Sequence, residues 1–312
     1  MRAEQKRGCN ARMAKRILLI INPKAGKGRY QAEIAHILDV LCLSGAAVTV
    51  QMTNHSGHAR EIAAKEGSRF DVIACMGGDG TLGETIAGLM ALKTRPPVGY
   101  IPMGTTNDMA TTLELSRDPM QAAKDILHGK LVPLDVGRFE NEYFTYIAAF
   151  GAFTEVSYQT PRESKQTLGH FAYVLEGMAR LTKIVPRKLV VEYDETGRIE
   201  GDFIFGAVTN TTSIAGLWKL KSDLVDLADG AFEVILIKNP KNILDINAIF
   251  MDIVTKKTAS EYVQIFSAKQ VRFLFEEPVP WTRDGEAGGT HTAVNLHNIH
   301  SAVQIYVPDE GE

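Results

Sequence analysis

Met76-Gly77-Gly78-Asp79-Gly80-Thr81, with its counterpart Pro102-Met103-Gly104-Thr105-Thr106-Asn107-Asp108, decides how this chain is read. Each stretch follows a short apolar run, residues 71–75 and 98–101, and each precedes a helix-like pattern. Apolar runs of that length between turn signals read as buried strands. Two glycine-rich turns at successive strand ends of one sheet make a pocket of backbone N–H groups. Such a pocket suits phosphate, because glycine lets the main chain approach closely and helix N-termini favour negative charge. Asp79 and Asp108 sit inside these turns. A carboxylate repels phosphate unless a divalent cation or a hydroxyl lies between them, so the loops point to a metal–nucleotide site.

The surrounding sequence repeats the same unit. A strand at 16–21 meets the turn Asn22-Pro23-Lys24-Ala25-Gly26-Lys27-Gly28, and a helix follows from Tyr30 to Leu43. A second strand at 47–52 leads through a polar turn, 53–57, into a helix over 58–66. This βαβα rhythm predicts a parallel sheet with helices on both faces. Ligands of such sheets bind at the carboxyl ends of the strands, where all four polar turns fall. Beyond Leu131 the pattern changes. Strands are expected at 132–136, 143–149, 189–193, 203–209, 232–237 and 271–275, with helices at 167–184 and 243–255. The expected division is an α/β domain over 14–132, joined by a returning strand at 297–308, and a β-rich domain over 133–296. Residues 1–13 read as a disordered leader.

Composition sets the limits. The chain has 312 residues, 45% hydrophobic and 23% charged, with a formal net charge of -3, room for two domains and no basic excess that would suggest nucleic acid. Cys9, Cys42 and Cys75 have no metal-type spacing and fit a reducing cytoplasm. No apolar run approaches the roughly 18 residues of a membrane span. The basic N-terminus before 17–21 imitates a signal peptide, but its apolar run is too short and ends in Asn-Pro. Gly78-Asp79-Gly80-Thr81-Leu82-Gly83 is formally a GxGxxG dinucleotide fingerprint. It follows the third strand rather than the first, carries an acid inside the turn, and has no ribose-binding acid after the next strand. There is no Walker motif, and His55 and His58 read as solvated turn residues.

The ordered set Asn22–Gly26, Gly77–Thr81 and Pro102–Asp108 resembles the diacylglycerol kinase catalytic superfamily, most of all its soluble bacterial lipid kinases. The similarity continues through Pro161–Lys165, Leu168–Tyr173, Leu227-Ala228-Asp229-Gly230 and Asp284-Gly285-Glu286. The resemblance implies an NAD-kinase-like α/β nucleotide domain plus a β-sandwich lipid-substrate domain, with the active site in the cleft between them. It implies ATP contacts at Asn22, Pro23, Lys24, Ala25, Gly26, Thr53, Gly77, Gly78, Asp79, Gly80, Thr81, Leu82, Gly83, Glu84, Gly104, Thr105, Thr106, Asn107 and Asp108. It also implies Mg2+ bridging the phosphates near Asp79, and a structural Mg2+ held by Asp226, Asp229 and Ala231.

A lipid hydroxyl is a poor nucleophile, and a carboxylate aimed at it can accept its proton as the γ-phosphoryl group transfers. The resemblance places that base in Asp284-Gly285-Glu286; reach from a tight turn favours Asp284, with Glu286 next. Two departures stand out: Gly83 where the family often has Asn, and Ala228 where it commonly has a second acid. The implied partner is a lipid at the inner face of the membrane, visited peripherally, and a homodimer is left open. The basic amphipathic stretch 167–185 can serve either membrane contact or packing on the β-rich domain. NAD kinase, which shares the Gly-Gly-Asp-Gly-Thr loop, and a nucleotide-binding regulatory protein with little catalysis are the alternatives.

Overall fold

The computed structural model describes residues 14–28, 30–151, 185–214, 218–219, 225–255 and 257–309. Its first core is a parallel sheet of β1 (Arg16–Ile21), β2 (Ala47–Met52), β3 (Val72–Gly77) and β4 (Val98–Pro102), in the order β2-β1-β3-β4. Residues 72–77 of β3 and 98–102 of β4 are buried throughout, which is why they read as unbroken apolar runs rather than alternating ones. Alternate side chains of β1 and β3 point to opposite faces. Ile17, Leu19, Val72 and Ala74 pack with Ile37 and Leu41 of α1 (Tyr30–Leu43) and with Ala122 and Ile126 of α5 (Pro119–His128). Leu18, Ile20, Ile73 and Cys75 pack with Ile62 of α2 (His58–Glu66) and with Leu82 and Ile86 of α3 (Asp79–Leu89). The short α4 (Asp108–Thr112) contributes Met109 and Ala110 to that same layer.

The second core is antiparallel. It comprises β5 (Lys130–Phe139), β6 (Glu142–Phe144), β7 (Ile147–Gly151), β8 (Arg187–Tyr193), β9 (Gly197–Thr209), the small pair β10 (Ser213–Ile214) and β11 (Trp218–Lys219), and β12 (Phe232–Lys238). Helix α6 (Ile243–Val254) follows, capped by Asn242, whose side chain accepts from the Leu244 and Asp245 amides. Strands β13 (Val263–Ala268), β14 (Gln270–Arg283) and β15 (Glu286–Val307) complete it.

Among the described residues, 13 strands of both cores form one continuous sheet. In β14, residues 271–275 pair with β8 and residues 281–283 with β7. Strand β9 likewise pairs with both β8 and β7, so the sheet folds over and encloses a core. The corner of β14 is the register shift between Leu274 and Val279, where Pro278 and Pro280 have no N–H for the ladder. Inside the fold, Phe150, Phe273, Phe275 and Trp281 stack edge to face, with Phe150–Phe275 and Phe273–Trp281 centroids 5.0 and 5.1 Å apart.

Strand β15 joins the two cores. Its first half pairs with β14, its second half with β5, and Ile305 lies beside Val98 of β4. The expected strand over 143–149 is broken into β6 and β7 at Thr145 and Tyr146. The expected helix at 167–184 lies outside the described residues. No described helix is long and apolar enough to cross a membrane.

Helices α2 and α3 cross closely at Gly88, where a Cβ would collide with the Arg60 carbonyl oxygen and come 2.8 Å from Ala63 Cβ. Alanine raises helix propensity by about 1 kcal/mol over glycine, but overpacking against backbone costs about 1–3 kcal/mol. Gly88→Ala is therefore expected to leave α3 helical yet lower stability by about 1–2 kcal/mol, read from denaturant unfolding. A variant as stable as the parent would mean the crossing is looser than described.

Candidate active site

The loops after β1, β3 and β4 touch one another. The Asn22 amide N–H donates to the Met76 carbonyl at 2.9 Å, its side-chain Nδ2 donates to Thr81 Oγ1 at 3.1 Å, and its Oδ1 accepts the Lys24 N–H at 3.0 Å. Gly26 has φ +60°, and a Cβ there would lie 2.7 Å from the Met103 carbonyl oxygen. A Cβ on Gly104 would lie 2.7 Å from the Gly78 Cα, so these two turns meet backbone to backbone. The Met103 N–H donates to the Gly77 carbonyl at 2.6 Å. Asn107 closes its own loop: Oδ1 accepts from the Gly104 N–H at 2.9 Å, and Nδ2 donates to the Gly104 carbonyl at 3.0 Å. Thr53 is buried beside them, its N–H on the Ile21 carbonyl.

The structure therefore brings residues 22–26, 77–81 and 104–107 together at one sheet edge. Open space remains beside Gly80, where a Cβ would meet no atom within 4 Å. Backbone at a helix N-terminus, next to unfilled space, fits the triphosphate of a nucleotide. Thr105 is exposed and Thr106 half-buried on the rim of this edge. Leu82, expected among the nucleotide contacts, is instead fully buried in the α2–α3 layer.

The acids depart most from the sequence expectation, because most face protein backbone. Asp79 accepts from the Asp108 and Met109 N–H groups at 2.9 and 3.1 Å, capping α4 with both oxygens. Burial, only partly offset by those bonds, pushes its carboxyl up to about 6. Glu84 accepts from the Gly57 and Ala59 N–H groups at 2.8 and 3.1 Å and so caps α2 from the neighbouring helix. Gly57, the residue that starts α2, supplies no side-chain cap of its own. Asp108 Oδ1 is buried and accepts the Ser213 hydroxyl at 2.6 Å, which ties the first core to the strand pair β10–β11. Asp79 and Glu84 thus staple loops together.

Asp284 and Gly285 have φ of 48° and 81°, the backbone that an Asp-Gly hairpin turn requires between Arg283 of β14 and Glu286 of β15. The Asp284 residue is half-buried, and its carboxylate turns inward. Oδ2 accepts from the Thr145 N–H at 2.7 Å, and Oδ1 from those of Tyr146 and Ile147 at 3.1 Å each. These three amides would otherwise continue a strand ladder, which is the physical reason the run over 143–149 breaks. Burial pushes the Asp284 carboxyl up to about 6 against the pull of the three donors.

A Cβ on Gly83 would sit 2.9 Å from Asp284 Oδ2, so Gly83 makes room for this clamp. Reach does not favour Asp284 as the base, since both of its oxygens are engaged inward. Glu286 stands exposed, and the Ser56 hydroxyl donates to its Oε1 at 3.4 Å. The backbone of residues 145–147, Ser56 and Ser213 were missed from sequence; no local pattern marks them.

Asp226, Asp229 and Ala231 lie on one turn that leads into β12. Asp226 Oδ1 accepts the Ala228 N–H at 3.0 Å, Asp229 Oδ1 accepts the Ala231 N–H at 2.8 Å, and the Ala231 carbonyl accepts Asn298 Nδ2 at 2.8 Å. Among the described residues, no group of three or more His, Cys, Asp or Glu comes together to hold a metal. The Glu233 carboxyl nearby is 3% exposed with Oε2 unpartnered. Burial, reinforced by the charges of Asp229 and Asp226, pushes it up to about 8.

Comparison with known proteins places the chain in a family. The diacylglycerol kinase catalytic domain family matches residues 16–139. The diacylglycerol kinase of Bacillus subtilis (strain 168) is 33% identical over 300 residues, covering 95% of this chain and 97% of that protein. The diacylglycerol kinase of Staphylococcus carnosus (strain TM300) is 32% identical over 303 residues, covering 96% and 97%. A crystal structure from Bacillus anthracis (strain Sterne) superposes with a TM-score of 0.80 at 25% identity, covering 94% of this chain and 95% of that one. These relatives do not favour the NAD kinase or regulatory alternatives. The chain belongs to the diacylglycerol kinase family of lipid kinases.

Proposed function

We propose that this lipid kinase transfers the γ-phosphoryl group of ATP to the free hydroxyl of a diacylglycerol at a membrane surface, with Glu286 as the general base. The observation that carries the assignment is the contrast within one turn. Asp284 spends its carboxylate on three backbone amides, while Glu286, two residues on, stands exposed. In this reading Asp284 sets the turn and Glu286 accepts the lipid hydroxyl's proton as the new P–O bond forms.

Residues 22–26, 77–81 and 104–107 would hold the phosphates by backbone N–H donors. Mg2+ entering with the nucleotide would neutralise the phosphate oxygens, since Mg2+ commonly keeps its waters and binds largely through substrate phosphates. The first core, over 14–132 with the end of β15, would be the nucleotide domain, and residues 133–296 the lipid domain. Asp108 with Ser213, and Arg60 Nη1 with Glu142 Oε2 at 2.5 Å, span the two.

The direct test is transfer of labelled γ-phosphate to diacylglycerol in phosphatidylglycerol vesicles. Glu286→Gln is expected to lower kcat by about 10²–10⁴-fold, with the KM for ATP within about twofold and the unfolding midpoint unchanged. Wild-type turnover in this variant would remove Glu286 as the base.

The Asp284 carboxyl also predicts a pH dependence of stability. An unfolded Asp titrates near 3.9, whereas burial holds the folded group up to about 6. Below pH 4 both states carry the proton and the contribution is fully present. Between pH 4 and 6 the unfolded chain releases the proton first, so this contribution falls as pH rises. The loss is complete above the folded value and amounts to about 2–3 kcal/mol. Unfolding of wild type and Asp284→Asn at pH 4 and 7 reads it: the stability difference should move by that amount against wild type on going to pH 7. A difference that stays constant would place the carboxylate in solvent.

A further inference from the structure

The exposed Glu286 side chain meets the other half of the molecule through one hydroxyl. Ser56 Oγ donates to its Oε1 at 3.4 Å although the two residues stand 230 positions apart in sequence. The turn that carries Ser56 is fixed on every side. Thr53 N–H is held by the Ile21 carbonyl at 2.8 Å, and Asn54 N–H by His58 Nδ1 at 3.2 Å. Gly57 takes the left-handed conformation, φ 84°, which permits the sharp entry into α2. The Glu84 carboxylate then grips the Gly57 and Ala59 amides from α3. Arg60, one turn into α2, reaches Glu142 of β6, close to the backbone that holds Asp284. Ser56 is thus presented from a hydrogen-bonded corner, while Glu286 sits on a long, exposed side chain at the end of a turn.

We propose that Ser56 is a positioning residue for the phosphoryl transfer: its hydroxyl holds the Glu286 carboxylate turned into the cleft, and Glu84 builds the corner that presents Ser56. The inference rests on the reading of Glu286 as the base. An exposed glutamate samples several staggered rotamers, and a base acts only in the one that reaches the acceptor hydroxyl. One donor on one carboxylate oxygen raises the time spent there without touching ATP or lipid. The effect belongs in kcat, not in nucleotide affinity.

The experiment uses the full chain with Mg-ATP and diacylglycerol in phosphatidylglycerol vesicles, and compares Ser56→Ala, Ser56→Thr and Glu286→Gln. Ser56→Ala is expected to lower kcat by about 3- to 10-fold, the range of one modest hydrogen bond. Its KM for ATP should stay within about twofold and its unfolding midpoint should not change. Ser56→Thr, which keeps the hydroxyl, should recover most of the lost kcat. Wild-type kcat in Ser56→Ala overturns the proposal. So does a raised KM for ATP at unchanged kcat, which would assign the turn to the nucleotide. So does a Ser56→Thr variant no better than alanine, which would make backbone shape rather than the hydroxyl the cause. Glu286→Gln separates the two readings. Its inactivity beside a fully active Ser56→Ala defeats only the positioning role, whereas an active Glu286→Gln defeats the base assignment itself.

Discussion

The Asp284 carboxylate, accepting the amides of Thr145, Tyr146 and Ile147, is the contact on which the break between β6 and β7 and the hairpin between β14 and β15 depend. The three bonds only partly offset the burial of the charge, but abandoning a buried amide would cost about 1–3 kcal/mol for each. They break the strand that would otherwise join β6 to β7, pin the hairpin between β14 and β15, and leave Glu286 beside it. Gly83 of α3 lies against the same carboxylate with no room for a Cβ, so the nucleotide side of the molecule is shaped around the clamp as well.

The same device recurs. Asp79 caps α4, Glu84 caps α2, and the buried Asp135 holds the Gly230 and Ser301 amides at 2.7 and 2.5 Å. An array of glycine turns has few side chains with which to pack itself. Carboxylates aimed at backbone N–H groups supply the missing rigidity from neighbouring elements. Rigidity matters for phosphoryl transfer, where positioning and preorganised charge account for most of the catalysis. Strand β15 provides the coarse counterpart by running from the Asp284-Gly285 turn to the parallel sheet beside β4.

What could be read from sequence divides along the range of the interaction. The bounds of β1, α1, β2 and α2 follow from local periodicity and turn residues, and the structure reproduces them. The glycine turns were legible because glycine answers to local backbone demands: the approach of Gly26 to Met103 and of Gly104 to Gly78 needs the absence of a side chain. Strand β14 was read as ending at Phe275, short of Pro278 and Pro280. In the fold they are the corner at which the strand changes partners. The run at 143–149 was read as one strand because the carboxylate that breaks it lies 139 positions downstream. For the acids, sequence indicated that Asp79, Glu84 and Asp284 belong to the site. It could not indicate that their partners are amides of other loops, because the direction of a carboxylate is set by tertiary packing.

Amide hydrogen exchange at Thr145, Tyr146 and Ile147 tests the central claim most directly, because exchange reports the opening of individual hydrogen bonds. The account predicts that all three amides are protected in the wild-type enzyme, that Asp284→Asn exposes them together, and that Glu286→Gln leaves them protected while abolishing lipid phosphorylation. Rapid exchange at these amides in the wild type, or protection that survives Asp284→Asn, would contradict it.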